Sequence, residues 1–472
     1  MSTGKEQGPA SGAVIAAPGH EGGGGARVRH PASWVTTAYL AEGIPFAMVI
    51  WVTGTMLKNL GHADGEITLL TSSVGIAWSL KPLWASFLDM YRTKKFFVLA
   101  MQALMAVLLA GLALSLKAPS YVRILYALLW ALAFASATQD ICIDGVYITS
   151  LGKKAQAAWI GVQGVCWNLG RIFATSLVVG LAGWLVGRGE DPKRAWMYAL
   201  GASAGAMAAL GVYHRFMLPE GSASRRPKDA AEVARTFADT LKAFFQKKAI
   251  WGMLVFVFLY RTGEGFLLVE APLFMQAPLE QGGLGLSLEH KALIDGTIST
   301  TVSLVGGLLG GLFVAKLGLR KALLPLALAM NVPHLCYVYL SHKVAPGAPL
   351  SLTTVAVLVS IEKLGYSFGF VGNMLYMMQQ IAPGKYKMTH YAFCTALMNL
   401  VLVPTQMASG PLADWMGYRR FFVFVLVASI PSIIAAWKAP FPDPVDEEEA
   451  ESGEESAGAA PARVAEAGES RA

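Results

Sequence analysis

One apolar stretch that carries two carboxylates decides how this sequence folds. Residues 121–148 read YVRILYALLWALAFASATQDICIDGVYI. The stretch is long enough to cross a bilayer as a helix, which needs about 20 mostly apolar residues. Asp140 and Asp144 stand four residues apart near its end, a spacing that puts both on one face of a helix. Because an ionised carboxylate in hydrocarbon is costly, we expect this face to line a polar pathway. The alternative is that the span ends early and that Asp144, or less readily Asp140, lies at the cytoplasmic headgroups.

The composition of the whole chain indicates a membrane protein with many spans. Of 472 residues, 54% are hydrophobic and 15% are charged, whereas a soluble protein carries roughly 25% charged residues. The four cysteines all fall in apolar runs, and none stands at metal-ligand spacing from a histidine. We therefore predict neither a metal site nor a cofactor. The basic residues are scattered between apolar runs, which argues against nucleic-acid binding.

We predict an all-α membrane protein with twelve transmembrane helices in two six-helix bundles. Residues 1–32 and 441–472 read as disordered tails, the second one acidic. Residues 33–217 and 249–440 form the two bundles, and 218–248 form a cytoplasmic linker with a surface helix. The predicted spans, numbered 1 to 12 in order, are 33–57, 66–88, 96–116, 122–149, 157–186, 195–217, 250–277, 290–315, 321–341, 350–380, 388–413 and 420–439.

The distribution of Lys and Arg predicts that both termini are cytoplasmic. Loops on the side of the termini carry the larger share of these residues, as expected for cytoplasmic loops. Arg419 and Arg420 run against this bias.

The two halves of the chain contain similar short motifs at equivalent positions. Tyr39-Leu-Ala-Glu42-Gly43 resembles Tyr260-Arg-Thr-Gly-Glu264-Gly265, and Trp184-Leu-Val-Gly187 resembles Trp415-Met-Gly417, at offsets of about 220 to 232 residues. A six-plus-six duplication is the parallel-repeat plan of the major facilitator fold.

Charged residues inside the spans concentrate where that fold has its central cavity, in spans 1, 4, 7 and 10, with Arg171 in span 5 and Asp295 in span 8 beside it. We expect a water-filled cavity of mixed charge, because such charges are costly against lipid. The candidates for proton coupling are Asp140, Asp144, Glu42 and Glu264. The candidates for substrate binding are Gln139, Arg171, Arg261, Glu362, Asn168, Asn373 and Tyr376.

Several of these residues have a purely structural alternative. Arg261 and Glu264, three apart on one helix, could neutralise each other. Glu362 and Lys363 are neighbours and should point to different sides of their helix. The amide side chains and the tyrosine could serve helix packing, which is the commoner role of such residues in membranes.

The loop after span 2 suggests a latch on the cytoplasmic side. An aspartate followed by basic residues can form ion pairs that hold one state of a transporter. The candidates are Asp89, Arg92, Lys94 and Lys95. An ordinary positively charged cytoplasmic loop explains the same residues.

Three pieces of the sequence resemble the AmpG-like muropeptide permeases of the major facilitator superfamily, which are related to acetyl-CoA transporters. They are Glu42-Gly-Ile-Pro45, the loop from Lys81 to Asp89, and Ala137-Thr-Gln-Asp140 with Asp144. The resemblance runs from about residue 33 to 440 and implies proton-driven import of anhydro-muropeptides across a bacterial inner membrane, for cell-wall recycling. It places the family's span-4 Gln and acids at Gln139, Asp140 and Asp144. Where many members carry an aromatic residue followed by Arg, this chain has Trp167-Asn168, and Arg171 is the candidate substitute.

Other functions stay open. The transported solute could be another polar or anionic molecule, such as a drug, a siderophore or a CoA-like compound. A remote alternative is a membrane-embedded transferase, suggested only by the spacing of His290 and Asp295. We expect a transporter, not an enzyme, that acts as a monomer on a small glycopeptide-like molecule and protons.

Overall fold

The fold is helical throughout the described part of the chain. The computed structural model describes residues 29–81, 83–84, 88, 93–221, 230–345, 348–383 and 387–442. In these ranges the only β-type pairing is one isolated bridge between Ala345 and Ala348. The predicted all-α class is confirmed, and the greater part of both predicted tails lies outside the described residues.

The helices follow the predicted spans with shifts of a few residues. Ten helices in the described ranges are long and apolar enough to cross a membrane. The last of these bends at Gly417 (φ 75°, ψ 155°), where the backbone is not helical and spans 11 and 12 meet. The described part of span 2 is short, so the count of twelve stays a prediction. The observed bounds are Pro31–Asn59 (span 1), Asp64–Val74 and Ile76–Ser79 (span 2), Lys94–Ser115 (span 3), Tyr121–Ser150 (span 4), Lys153–Ile172 through Val179–Gly187 (span 5), Pro192–Met217 (span 6), Ala230–Phe245 (linker helix), Ile250–Tyr260 and Thr262–Gln276 (span 7), Leu288–Leu317 (span 8), Leu319–Lys343 (span 9), Leu352–Ile381 (span 10), and Lys387–Ala428 with Ile430–Trp437 (spans 11 and 12).

Large apolar side chains cover the outside of the helix bundle. Val107 is 68% exposed and Leu308 is 67% exposed, each in the middle of a span. Such a surface would be unfavourable in water, but it matches the hydrocarbon core of a bilayer. The protein is therefore a multi-pass membrane protein.

Apolar packing groups the helices in two sets. One cluster around Val49, Leu125 and Trp196 is built mainly from spans 1 to 6, and another around Phe256 and Leu326 comes from spans 7 to 12 and the linker helix. This grouping agrees with the predicted bundles, whose boundaries stay predictions.

Close helix contacts in the first half depend on glycine. Spans 1 and 5 cross where a Cβ at Gly43 would lie 2.2 Å from the carbonyl oxygen of Trp167. A Cβ at Gly170 would lie 2.3 Å from the carbonyl oxygen of Leu40. Only residues without a side chain allow this approach, which positions Glu42 and Arg171 next to the crossing.

The two halves are bonded to each other near one end of the bundle. We call this end the distal face, because it lies opposite the end where span 1 begins and span 12 finishes. Gly65 N–H donates to Asp414 Oδ2 at 2.7 Å, joining spans 2 and 11. Thr297 and Ser176 join spans 8 and 5, with their hydroxyl oxygens 2.9 Å apart. The structure is thus a state that is closed at the distal face.

Candidate functional site

The two acids of span 4 each have a partner on another helix. Lys81 Nζ, near the end of the described part of span 2, forms an ion pair with Asp140. Tyr39 of span 1 donates its hydroxyl hydrogen to Asp144 at 2.8 Å. Both acids therefore face other helices of the first half and not lipid, and the polar pathway along this face stays a prediction. Lys81 and Tyr39 were not predicted as partners.

Gln139 and Glu42 lie beside this group, where span 4 touches span 1. Gln139 Nε2 donates to the carbonyl oxygen of Ala41 at 3.1 Å, and its side chain is fully buried. Glu42 is also buried, and its Oε2 has no hydrogen-bond partner among the described residues. We call Lys81, Asp140, Asp144 and Glu42 the acidic group. It holds three carboxylates and one ammonium.

Arg171 of span 5 points toward the second half. Its guanidinium stacks over the ring of Trp51, with Cζ 4.4 Å from the ring centroid. The guanidinium interacts electrostatically with Asp295 of span 8. Arg171 Nε is buried and has no hydrogen-bond partner in the described part of the chain.

Arg261 and Glu264 of span 7 form a buried ion pair. Arg261 Nε donates to Glu264 Oε2, and a terminal guanidinium nitrogen donates to Oε1 at 2.6 Å. The pair lies at an interruption of the span 7 helix. The backbone is not helical at Arg261, which has φ −110° and ψ 17°. The guanidinium also lies over the ring of Phe370 at 4.7 Å. The two side chains thus neutralise each other, which was the structural alternative in the sequence.

Spans 8 and 10 add two more ion pairs. Lys291 donates to Asp295 at 2.8 Å, four residues along the same helix. Lys363 Nζ lies 3.1 Å from Glu362 Oε2. The prediction that Glu362 and Lys363 point to different sides is therefore wrong for their charged ends. Both side chains are long and flexible, so their charged ends can meet. Both are also buried, so water does not solvate the two charges separately.

Tyr366 of span 10 lies among these charges. It interacts electrostatically with Arg261 and Arg171. Its ring stacks on Phe370 at 5.9 Å between centroids, with an interplanar angle of 27°. We call the surrounding charged residues the basic group: Arg171, Arg261, Lys291, Lys363, Glu264, Asp295 and Glu362. It holds four cations and three carboxylates.

Three predicted binding residues have contacts that are typical of packing. Tyr376 is fully buried and donates its hydroxyl hydrogen to the carbonyl oxygen of Pro440. Asn373 Nδ2 contacts the sulfur of Met398 at 3.2 Å. Asn168 Nδ2 donates to a carbonyl one turn earlier in its own helix, at 2.9 Å. The structure does not bring these side chains into hydrogen-bonding contact with either charged group.

The predicted latch is only partly described. Asp89 and Arg92 lie outside the described residues. Lys95 Nζ lies 3.5 Å from Glu220 Oε1, after the end of span 6. The backbone N–H of Lys94 donates to the carbonyl of Gly221 at 3.4 Å. Both contacts join the start of span 3 to the start of the predicted linker.

Comparison with known proteins identifies the family. The profile of the Major Facilitator Superfamily matches residues 35–401. The anhydromuropeptide permease of Escherichia coli (strain K12) is 26% identical over 414 residues, which are 84% of this chain and 76% of that protein. Putative transporter AmpG 4 of Rickettsia felis is 22% identical over 406 residues, 84% of this chain and 92% of the relative.

Solved structures share the fold. A bacterial homologue of the human lysosomal transporter Spinster, in an inward-facing and unoccupied conformation, gives a TM-score of 0.65 at 15% identity, covering 88% of this chain and 98% of that one. A D-xylose–proton symporter gives a TM-score of 0.64 at 13% identity, covering 87% and 97%. The family match confirms the prediction of a transporter and not an enzyme. The chain belongs to the major facilitator superfamily, and the named relatives it resembles in sequence are AmpG-like permeases.

Proposed function

We propose that this transporter imports anhydro-muropeptides into the cytoplasm across a bacterial inner membrane, coupled to protons. The observation that carries the proposal is the basic group, which holds one more cation than carboxylates and leaves a buried donor of Arg171 without a partner. A muropeptide is large and polar and carries carboxylates. It needs positive charge and hydrogen-bond donors in a cavity between two helix bundles.

Arg171 is the residue we assign to the substrate's carboxylate. A guanidinium binds a carboxylate through two parallel hydrogen bonds, and Arg171 is less neutralised than Arg261, whose charge is taken up by Glu264. Tyr366 and Phe370 offer stacked rings beside it, against which a sugar or a peptide bond can pack. The relatives named anhydromuropeptide permease and AmpG support this class of substrate.

The acidic group is the part we assign to protons. Asp140 is paired with Lys81, so protonation of Asp140 would release Lys81 and change the contacts between spans 2 and 4. A ligand shifts a conformational equilibrium only through such a difference in contacts between two states. Asp140 is therefore our first choice for coupling, ahead of Asp144 and Glu42.

The positive-inside bias assigns the termini to the cytoplasm in this proposal. The distal face is then the outer face, and the closed contact there means that this state is not open to the outside. Substrate would enter when the distal contact opens and leave when it closes again.

The test is uptake of radiolabelled N-acetylglucosaminyl-anhydro-N-acetylmuramyl tripeptide into right-side-out vesicles, with and without a proton gradient. Wild type is expected to accumulate the label only with the gradient, and Asp140→Asn is expected to lose that accumulation. Asp239→Asn, an exposed carboxylate on the linker helix, is the matched control and should behave as wild type.

Different failures of this test exclude different parts of the proposal. No uptake by folded wild type would exclude the muropeptide assignment. Gradient-driven uptake by Asp140→Asn would keep the substrate but exclude Asp140 as the coupling residue. Arg171→Gln is expected to raise the substrate concentration needed for half-maximal uptake at least tenfold, since a charged hydrogen bond to a carboxylate contributes about 1.5–3 kcal/mol.

A further inference from the structure

The contact between the halves at the distal face contains a third group of charged side chains. Asp64 begins span 2, Lys58 is the second-last residue of span 1, and Glu270 lies six residues before the end of span 7. Asp414 and Tyr418 flank the bend between spans 11 and 12. We call these five residues the distal group. It joins both halves of the protein, and Glu270 and Asp64 are 0% and 2% exposed.

Both carboxyl oxygens of Asp64 accept hydrogen bonds. Lys58 Nζ donates to its Oδ1 at 2.5 Å, and the hydroxyl of Tyr418 donates to its Oδ2. Asp414 accepts from the backbone N–H of Gly65 at 2.7 Å and is exposed to solvent. The single cation of the group is thus already paired with Asp64.

Glu270 has no such partner. Neither of its carboxyl oxygens accepts a hydrogen bond from a donor in the described part of the chain. The helix that begins at Asp64 packs against the helix that holds Glu270, and Asp64, Lys58 and Asp414 are the charged neighbours of Glu270. Two ionised carboxylates cannot hydrogen-bond, whereas one protonated and one ionised carboxyl can. An ionised Glu270 would be a buried, unpaired charge next to another carboxyl group, which is strongly unfavourable.

We propose that Glu270 and Asp64 form a proton-binding site that permits the distal face to close. When the halves separate, water reaches Glu270 and the carboxyl can ionise. When they meet again, Glu270 must hold a proton and donate it in a hydrogen bond to Asp64. The proton is taken up and returned on the distal side, so this site gates the conformational change and is separate from the coupling site at Asp140. The inference depends on the alternating access of the proposed function, but not on its substrate.

The direction of the pH effect follows from this proton count. The closed state binds one more proton than the open state, so raising the pH favours the open distal face. The ratio of the two populations changes by up to about tenfold per pH unit where a single proton is released. No substrate is needed for this response.

The experiment measures the distance across the distal face by pulsed electron paramagnetic resonance. Spin labels are placed at Lys117→Cys and His342→Cys, two exposed positions at that face, one in each half. The full chain, with its four native cysteines replaced by serine, is measured in nanodiscs from pH 5 to 9 without substrate. We expect the longer distance of the open state to gain population as the pH rises.

Two variants identify the group responsible. Glu270→Gln carries an amide that can donate to Asp64, so the closed distance should persist at every pH. Asp64→Asn can donate to an ionised Glu270, so it should also suppress the response if the first variant does not fold. Glu280→Gln removes an exposed carboxylate ten residues further on and should keep the wild-type pH response.

The outcomes separate this inference from the proposed function. Distances that do not change from pH 5 to 9 in wild type, or a full pH response in Glu270→Gln, would overturn the gate even if muropeptide uptake is observed. A pH response that Glu270→Gln abolishes would support the gate even if no muropeptide is taken up.

Discussion

Removal of the guanidinium of Arg261 tests whether the Arg261–Glu264 pair is a structural unit in the middle of span 7. The two side chains are 6% and 2% exposed and share two hydrogen bonds. Opposite charges about 4 Å apart attract by about 4 kcal/mol at an effective dielectric constant of about 20. Arg261→Met loses this attraction and leaves Glu264 buried without a cation. We expect the free energy of unfolding to fall by about 3–5 kcal/mol.

The double variant Arg261→Met/Glu264→Met gives the decisive comparison. It removes both charges, and apolar replacement of a whole buried pair is often neutral or stabilising. We therefore expect the double variant to recover most of the stability that the single variant loses. Arg215→Met, which changes an exposed arginine at the end of span 6, should leave stability within about 0.5 kcal/mol of wild type.

The assay is the temperature at which half of the detergent-solubilised protein stops eluting as a monodisperse peak. Each protein is heated in the same detergent at the same pH, so the order of the variants does not depend on converting temperatures to energies. A double variant no more stable than Arg261→Met would refute the reasoning, because the loss would then come from the missing side chains and not from an unpaired charge.

Two further predictions concern the first half. Gly43→Ala should lower stability by about 1–3 kcal/mol, because its Cβ would lie 2.2 Å from the carbonyl oxygen of Trp167. Gly161→Ala is the control, since a Cβ there meets nothing within 4 Å, and heating curves should show no such loss for it. Tyr39→Phe should cost about 1–3 kcal/mol, since it leaves a carboxyl oxygen of Asp144 without its 2.8 Å hydrogen bond. An unchanged midpoint in the same heating assay would contradict that role.

The spans and the helical positions of their charges could be predicted from the sequence because both are local properties. Twenty apolar residues in a row define a span wherever they occur. The Arg261–Glu264 pair was also foreseen as an alternative, since two residues three apart on a helix are neighbours whatever surrounds them. Local spacing failed only for Glu362 and Lys363, whose long side chains meet although their Cβ atoms diverge.

The partners of the charged residues could not be predicted, because they depend on which helices touch and at what height. Tyr39 and Asp144 are 105 residues apart, and Asp64 and Tyr418 are 354 residues apart. Asp64 and Lys58 also lie at span ends, where charge is ordinary and gives no signal. The role we propose for Asp64 and Lys58 depends on the contact at the distal face, which brings Glu270 of span 7 next to them.

The contact between spans 5 and 8 allows a direct test of whether the distal face must open during transport. The hydroxyl oxygens of Ser176 and Thr297 lie 2.9 Å apart, and a Cβ at Gly296 would lie 2.3 Å from Ser176 Oγ, so the two backbones are close there. The pair Ser176→Cys/Thr297→Cys should therefore form a disulfide in the state described here. If the halves separate at this height to admit substrate, oxidation should abolish transport and a reductant should restore it, whereas Ser176→Cys alone should be insensitive to both. Undiminished uptake with the cross-link fully formed would mean that substrate passes without separating spans 5 and 8. A rocking motion that separates the two halves at Ser176 and Thr297 would then be excluded.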